Sequence, residues 1–329
     1  MSDRAVSVVF VTEAGPGIGL GHLRRCEALG AALCRRGATA RFLVDGEADS
    51  AGPEVTLLAW TRDPALACDA LAESRPDAVV VDAYHATPAL FERLRGLAGC
   101  VVAIDDLADH PLPAHLVVNG AFHAARLPYR SALDTRLLLG PEYALLDPAF
   151  GEPPDRTPGV VVRRVLVALG GSAAREALEA AVVAVRRAVP PAAIDLALGP
   201  FSRVSLDGLE GVTVHRGLRS LRELMRHADL AVTGGGTTLY ACLAAGTPVV
   251  GVCLADNQRP NVDALSRAGL VMSGEPSLED AIRRATRDPA LRRAMAARGR
   301  QLVDGRGAAR VADEITRACV AAGVSRGAP

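Results

Sequence analysis

The sequence predicts an α/β protein made of two halves, each a parallel sheet covered by helices. Three observations predict it. Continuous Val/Ile-rich runs alternate with helical patterns, as expected of a parallel sheet buried on both faces. The series occurs twice, on either side of GEPPDRTPGVVVR (151–163), a Pro- and Gly-rich stretch without periodicity. Glycine turns stand where a strand run hands over to a helix, which is the order of a Rossmann-like unit. The reading is therefore two Rossmann-like domains, 1–155 and 156–329, facing across a cleft.

In chain order, AVSVVFVT is the first strand, and a helical pattern runs from the turn after it to Arg36. ATARFLVD (Ala38 to Asp45) is a second strand and VTLLAW (Val55 to Trp60) a third. Pro64 opens a helix to about Ser74, because Pro is well placed at a first helical position. DAVVVDAY is a strand ending at Asp82 and Tyr84, and Pro88 opens the next helix, to about Leu97. CVVAIDDLAD ends at Asp105 and Asp106, and HLVVNG ends at Asn119. In the second half RRVLVALGGS runs into Gly170-Gly171-Ser172, with a helix from Ala174 to Ala188 behind it. AIDLALG and VTVHRG are short strands, and Leu218 to His227 is a helix. DLAVTGGGTTLYACLAAGTPVVGV reads as strand, glycine turn, helix and strand. Asp256-Asn257-Gln258 then opens a helix to Ala268. Helices follow at Leu278–Arg287, at Pro289–Leu302 and from about Gly307 to Ala321.

Composition narrows the function. The net charge is zero, from 37 basic and 37 acidic residues, which argues against a general nucleic-acid or membrane surface. Every basic residue is Arg, so Lys nucleophiles, Schiff bases and a P-loop are excluded. The seven Cys lack C-x-x-C spacing and suggest neither a disulfide framework nor a zinc site. The N-terminus does not read as a secretory signal, and no apolar run has the ~18 residues of a membrane span. A cytoplasmic protein without stable membrane insertion is expected, acting as a monomer or weak homodimer, with no metal and no cofactor.

The candidate site begins at AGPGIGLGHLRRC (Ala14 to Cys26). Gly15, Gly17, Gly19 and Gly21 alternate, then come His22 and Arg25. Glycines allow close ligand approach, and a helix start offers N–H groups to an anion. The spacing is not the dinucleotide fingerprint G-x-G-x-x-G. Ligands of open α/β sheets bind beyond the carboxyl ends of strands. Gly17, Gly19, Gly21, His22, Arg25, Asp82, Tyr84, Asp105 and Asn119 all fall at or just after such ends. Each taken singly also fits a turn or cap residue, Asp105 and Asp106 most readily. In the second half the same rim carries Gly171, Ser172, Gly235, Gly236, Thr237, Thr238, Asn257 and Gln258. Gly-Gly-Gly-Thr-Thr at a helix start suits a phosphate, since three glycines are a costly way to make a mere cap.

Taken together, Gly19-Leu20-Gly21-His22, Arg25-Cys26, Val81-Asp82-Ala83-Tyr84 and Ile104-Asp105-Asp106-Leu107-Ala108 resemble the nucleotide-sugar hydrolases of pseudaminic acid biosynthesis and their spore-coat polysaccharide relatives. The likeness continues through Leu139-Gly140-Pro141-Glu142-Tyr143-Ala144-Leu145-Leu146, Leu169-Gly170-Gly171-Ser172, Gly235-Gly236-Thr237-Thr238 and Asn257-Gln258. The resemblance covers most of the chain and implies the two-domain glycosyltransferase-B fold, whose last helix crosses back to the first domain. It implies metal-independent cleavage of a UDP-linked amino sugar at the anomeric carbon. His22 would be the base that activates water, Tyr84 would lie near the sugar, and the second domain would bind UDP. One departure stands out. Where the family has Trp-Glu-Arg after its glycine turn, this chain has Tyr240, Ala241 and Cys242, and Ala241 cannot hold ribose hydroxyls. Three readings stay open: a hydrolase, a glycosyltransferase of the same fold with His22 or Asp82 as base, and a non-catalytic nucleotide-sugar-binding subunit.

Overall fold

The computed structural model describes residues 5–47, 54–130, 134–154, 157–204 and 211–325. The chain forms two units. One comprises Met1–Gly15, Leu20–Pro148 and Arg306–Pro329; the other comprises Pro16–Gly19 and Ala149–Gly305.

The first unit runs β1 (Ser7–Ala14), α1 (Gly21–Cys34), β2 (Thr39–Gly46), β3 (Val55–Leu57), α2 (Pro64–Ser74), β4 (Ala78–Asp82), α3 (Pro88–Arg95), β5 (Cys100–Ile104), β6 (Leu116–Asn119) and β7 (Arg136–Leu139). All seven strands are parallel, in the order β3-β2-β1-β4-β5-β6-β7. The direction of winding reverses between β1 and β4, the point where such sheets open a crevice. The middle strands are apolar because helices cover both faces: all five residues of β4 and of β5 are buried. Asp63 and Thr87 cap α2 and α3 through their side chains, each just before a Pro, as the sequence signals require.

The second unit runs β8 (Arg164–Ala168), α4 (Arg175–Ala188), β9 (Ala193–Leu198), β10 (Val212–Arg216), α5 (Arg222–His227), β11 (Leu230–Gly234), α6 (Thr237–Ala244), β12 (Val249–Val252), α7 (Arg259–Arg267), β13 (Met272–Ser273), α8 (Leu278–Arg287) and α9 (Pro289–Leu302). Its six parallel strands take the order β10-β9-β8-β11-β12-β13, the same winding as the first sheet. Arg292 of α9 is fully buried and donates to four backbone carbonyls, those of Ala285, Thr286, Gly159 and Val160.

The last helix, α10 (Gly307–Ser325), packs on the first unit. Ala308, Val311, Ala312 and Ile315 join the apolar cluster built by β1, α1, β4 and β5. Arg36 grips Asp313 at 2.6 Å and Arg136 grips Glu314 at 2.7 Å.

The fold class expected from the sequence is the one observed, and the differences are local. The first helix ends at Cys34, not Arg36, and α5 starts at Arg222, not Leu218. The third strand ends at Leu57. Trp60 lies beyond it in a turn, buried, with its indole N–H donating to the Thr12 carbonyl at 2.9 Å. That bond satisfies the indole, so the Trp serves the core without belonging to the sheet. Two short strands, β7 and β13, are additions that the sequence pattern does not announce.

Candidate active site

The first group of candidate residues meets at the switch point of the first sheet. Asp82 closes β4 beside Thr12 of β1, whose hydroxyl donates to the Asp82 carbonyl at 2.9 Å. His22, the second residue of α1, is 5% exposed. Its Nδ1 lies 2.6 Å from Asp82 Oδ1. A lone pair that close to a carboxylate oxygen would be repelled, so Nδ1 carries the hydrogen and donates it. The 3.1 Å approach of Arg25 Nη2 to the same nitrogen is therefore proximity without a hydrogen bond. In the neutral ring Nε2 is then the acceptor.

Arg25, one turn further along α1, organises the carboxylates. It donates to Asp82 from Nη2 (2.8 Å) and Nε (3.0 Å), and from Nη1 to both oxygens of Asp106 (2.8 and 2.7 Å). The fork geometry of guanidinium suits this double engagement. Burial works to raise the Asp82 pKa, but Arg25 and His22 outweigh it and hold the carboxyl below its usual range. Tyr84, half exposed, sets its ring edge-on to that of His22, centroids 4.5 Å apart at 90°. His22, Arg25, Tyr84, Asp105, Asp106 and His110 are among the residues around a cavity of about 70 Å³.

Asp105 and Asn119 reach this rim but are engaged locally. Asp105 Oδ2 accepts the N–H groups of Leu107 (3.2 Å) and Ala108 (2.8 Å) and the Tyr129 hydroxyl (2.8 Å). Asn119 donates to Tyr129 at 2.8 Å and accepts from Ala121 N–H at 2.9 Å. Burial pushes the Asp105 carboxyl up despite those donors. Along the glycine turn, a Cβ at Gly17 or Gly21 would meet nothing within 4 Å, and Gly19 takes a left-handed φ of 81° that favours glycine.

The second group gathers at the switch point of the second sheet, between β8 and β11. Gly171 and Ser172 follow β8, and Ser172 is exposed. Gly235 follows β11. A side chain there would lie 2.8 Å from Val262 Cγ2 and 2.9 Å from Gln258 Cβ, so only glycine fits. Gln258 Oε1 accepts the Gly235 N–H (3.0 Å) and the Leu254 N–H (3.2 Å). Asn261 donates to the Gly235 carbonyl at 2.9 Å and accepts from the Tyr240 hydroxyl at 2.6 Å. Gly236 is different: it is exposed, and a Cβ there would meet nothing within 4 Å. It precedes Thr237 and Thr238, the first residues of α6. α4 and α6, like α1, α5 and α7, have no side-chain cap, whereas α2, α3, α8 and α9 do. Asn257 is exposed, and Ala241 is buried within α6.

Four neighbours of these sites are absent from the sequence-based candidates: Glu13, His85, Tyr129 and Asn261. Glu13 carries a signal, as the one charged residue between Ala5 and Arg24. Asn261 and Tyr129 carry none, because each acts through a partner distant in sequence. Among the described residues no group of His, Cys, Asp and Glu could hold a metal ion, and no helix is long and apolar enough to cross a membrane.

No protein-family model matches the chain. Over 212 residues, 59% of the chain, it is 27% identical to the spore coat polysaccharide biosynthesis protein SpsG of Bacillus subtilis. That match takes in about three fifths, 62%, of the relative's length. Among solved structures, CalG4, the calicheamicin glycosyltransferase, superposes with a TM-score of 0.60 at 19% identity, over 99% of this chain and 100% of its own. The Staphylococcus aureus MnaA–UDP structure does so with a TM-score of 0.65 at 12% identity, over 95% and 96%. These likenesses establish the glycosyltransferase-B fold.

Proposed function

We propose that the chain is an enzyme that cleaves a nucleotide-activated sugar, UDP-linked and of the amino or deoxy class, at its anomeric carbon. The observation that carries this reading is the His22–Asp82 pair: a buried imidazole whose Nδ1–H is fixed by a carboxylate, with Nε2 left to accept a proton beside a cavity. In the hydrolytic form, water attacks the anomeric carbon and gives its proton to Nε2 of His22. The C–O bond to the diphosphate breaks, and its electron pair leaves with the phosphate oxygen. Asp82 stabilises the imidazolium that forms. Tyr84 flanks the sugar, and Arg25 acts on it through Asp82 and Asp106. We assign the diphosphate to the second unit, at Gly171-Ser172 and Gly235 to Thr238, with Asn257 and Gln258 beside them. There the uncapped starts of α4 and α6 supply N–H groups to the developing charge without a metal.

Transfer to an acceptor hydroxyl uses the same groups, with His22 Nε2 taking the hydroxyl proton. The fold is shared with CalG4, a glycosyltransferase by name, which favours keeping this second reading. The SpsG likeness supports carbohydrate biosynthesis under either.

The test is to incubate the protein with UDP-, dTDP-, CMP- and GDP-sugars, with and without acceptors, and follow nucleotide release. His22→Asn should lower turnover by about 10² to 10⁴, the usual worth of general-base catalysis, and leave UDP affinity unchanged. Turnover near wild type would remove His22 as base and overturn the reading. Release that requires an acceptor would decide for transfer.

A further inference from the structure

The turn after β4 carries Tyr84 and is held from below by a residue of the neighbouring strand. Glu13, second to last in β1, is 1% exposed. Its Oε1 accepts the backbone N–H of Tyr84 at 2.8 Å, and its Oε2 lies 2.6 Å from Nδ1 of His85. As at His22, a nitrogen that close to a carboxylate carries the hydrogen. Strands β1 and β4 thus exchange support. The carboxylate of β4, Asp82, fixes the histidine that follows β1, and the carboxylate of β1, Glu13, fixes the histidine and tyrosine that follow β4.

A buried carboxylate needs strong donors to be tolerated, and a generic turn does not need a buried carboxylate. A neutral side chain could close the same turn. What Glu13 adds is two charge-assisted bonds to consecutive residues, which fix both the backbone and the direction of the segment. The consequence lies one contact away, at the edge-on packing of the Tyr84 ring against His22. That packing is a second contact on the imidazole besides the Asp82 hydrogen bond.

We infer that Glu13 is a positioning residue: by anchoring the Tyr84-His85 turn it sets the Tyr84 ring against His22 and so holds the base in its working orientation. This rests on the reading of His22 as a base, but its structural half does not.

The test uses the full chain and begins without ligand. Glu13→Met fills the same volume without an acceptor; Glu13→Gln retains an oxygen for the Tyr84 N–H. The His22 ring resonances, assigned by comparison with His22→Asn, report the Tyr84 ring current, and Tyr84→Ala gives their position without it. In Glu13→Met these resonances should move to the Tyr84→Ala position, and the Tyr84 amide should lose hydrogen-exchange protection. In Glu13→Gln both should stay near wild type. His22 resonances unchanged in Glu13→Met overturn the inference, as do resonances in Glu13→Gln that move as far as in Tyr84→Ala. Turnover of the UDP-sugar panel then reads the functional half. Glu13→Met should lower kcat more than it changes KM, Glu13→Gln should restore it, and Tyr84→Ala on top of Glu13→Met should cost nothing further. A loss confined to KM, or full additivity of the two substitutions, overturns it. If His22→Asn leaves turnover intact, the reading of the base has failed while the ring-current result still stands or falls alone.

Discussion

Replacing Asp82 with Asn keeps the shape of a buried side chain and removes its charge, and the surrounding geometry fixes the cost. Three N–H donors converge on two oxygens, His22 Nδ1–H and Arg25 Nη2–H on Oδ1 and Arg25 Nε–H on Oδ2, and the Cys26 thiol approaches Oδ2 at 4.0 Å. An amide offers one oxygen and one NH₂. With its oxygen towards His22, its NH₂ faces the Arg25 Nε–H, donor against donor. That loses a hydrogen bond to a charged group, worth about 1.5–3 kcal/mol. The ~3–5 kcal/mol of a wholly orphaned buried ion is not reached, because Asp106 still grips Arg25. With its NH₂ towards His22, the amide forces the other tautomer, and Nε2 then carries a hydrogen and cannot act as base. Asp82→Asn should therefore destabilise the first unit by about 2–3 kcal/mol and lower turnover by about 10² to 10⁴. The pH dependence has a definite sign. A carboxyl whose pKa is lowered on folding contributes stability above its unfolded value of about 3.9, and that contribution is lost as pH falls through the lower folded value. The stability gap between wild type and Asp82→Asn should narrow below about pH 4. The assay is urea denaturation followed by tryptophan fluorescence. Trp60 is the single Trp of the chain, is buried, and hydrogen-bonds Thr12, the residue that also holds the Asp82 carbonyl. An unchanged midpoint together with unchanged turnover would refute the reasoning.

Other substitutions probe the remaining parts. Gly236→Leu should weaken UDP binding in calorimetry while leaving the unfolding midpoint in place, because the position is exposed and a Cβ there meets no protein atom within 4 Å. Gly235→Ala should instead destabilise by about 1–3 kcal/mol through overpacking on Val262 and Gln258, read by thermal unfolding. Arg292→Met should cost about 3 kcal/mol or more in the unfolding of the second unit, since it strips the donors from four carbonyls. Ile315→Ala should cost about 2–5 kcal/mol in the transition that Trp60 reports, through a cavity under α10.

Much of this is legible in the sequence because parallel sheets write themselves as apolar runs with polar residues at their carboxyl ends. His22 and Asp82 are 60 residues apart, yet both follow from strand ends that the pattern locates, and the register of β1 on β4 brings them into contact. Arg25 reads in the sequence as a ligand to substrate; in the structure it lines the cavity and its guanidinium spans Asp82 and Asp106. Charge alone does not say which partner a guanidinium takes. Asp105 fits a rim residue and also a turn residue, and in the structure its three donors hold the turn while it also lines the cavity beside His22. β7 and β13 are hidden for a physical reason. Four and two residues are too short to show a period, and only tertiary pairing on β6 and β12 makes them strands. Apolar neighbours place Trp60 in a strand, since no sequence pattern announces that an indole will bond a carbonyl 48 residues earlier.

The return of α10 to the first unit has a consequence for biosynthesis. Residues 149–305 come off the ribosome as one nearly continuous stretch and can complete their sheet as soon as they emerge. The first sheet, although translated earlier, must wait with the apolar face that Val311 and Ile315 will cover still exposed. During that interval it is a target for chaperones and for association with other nascent chains, and the exposure ends only once α10 has emerged.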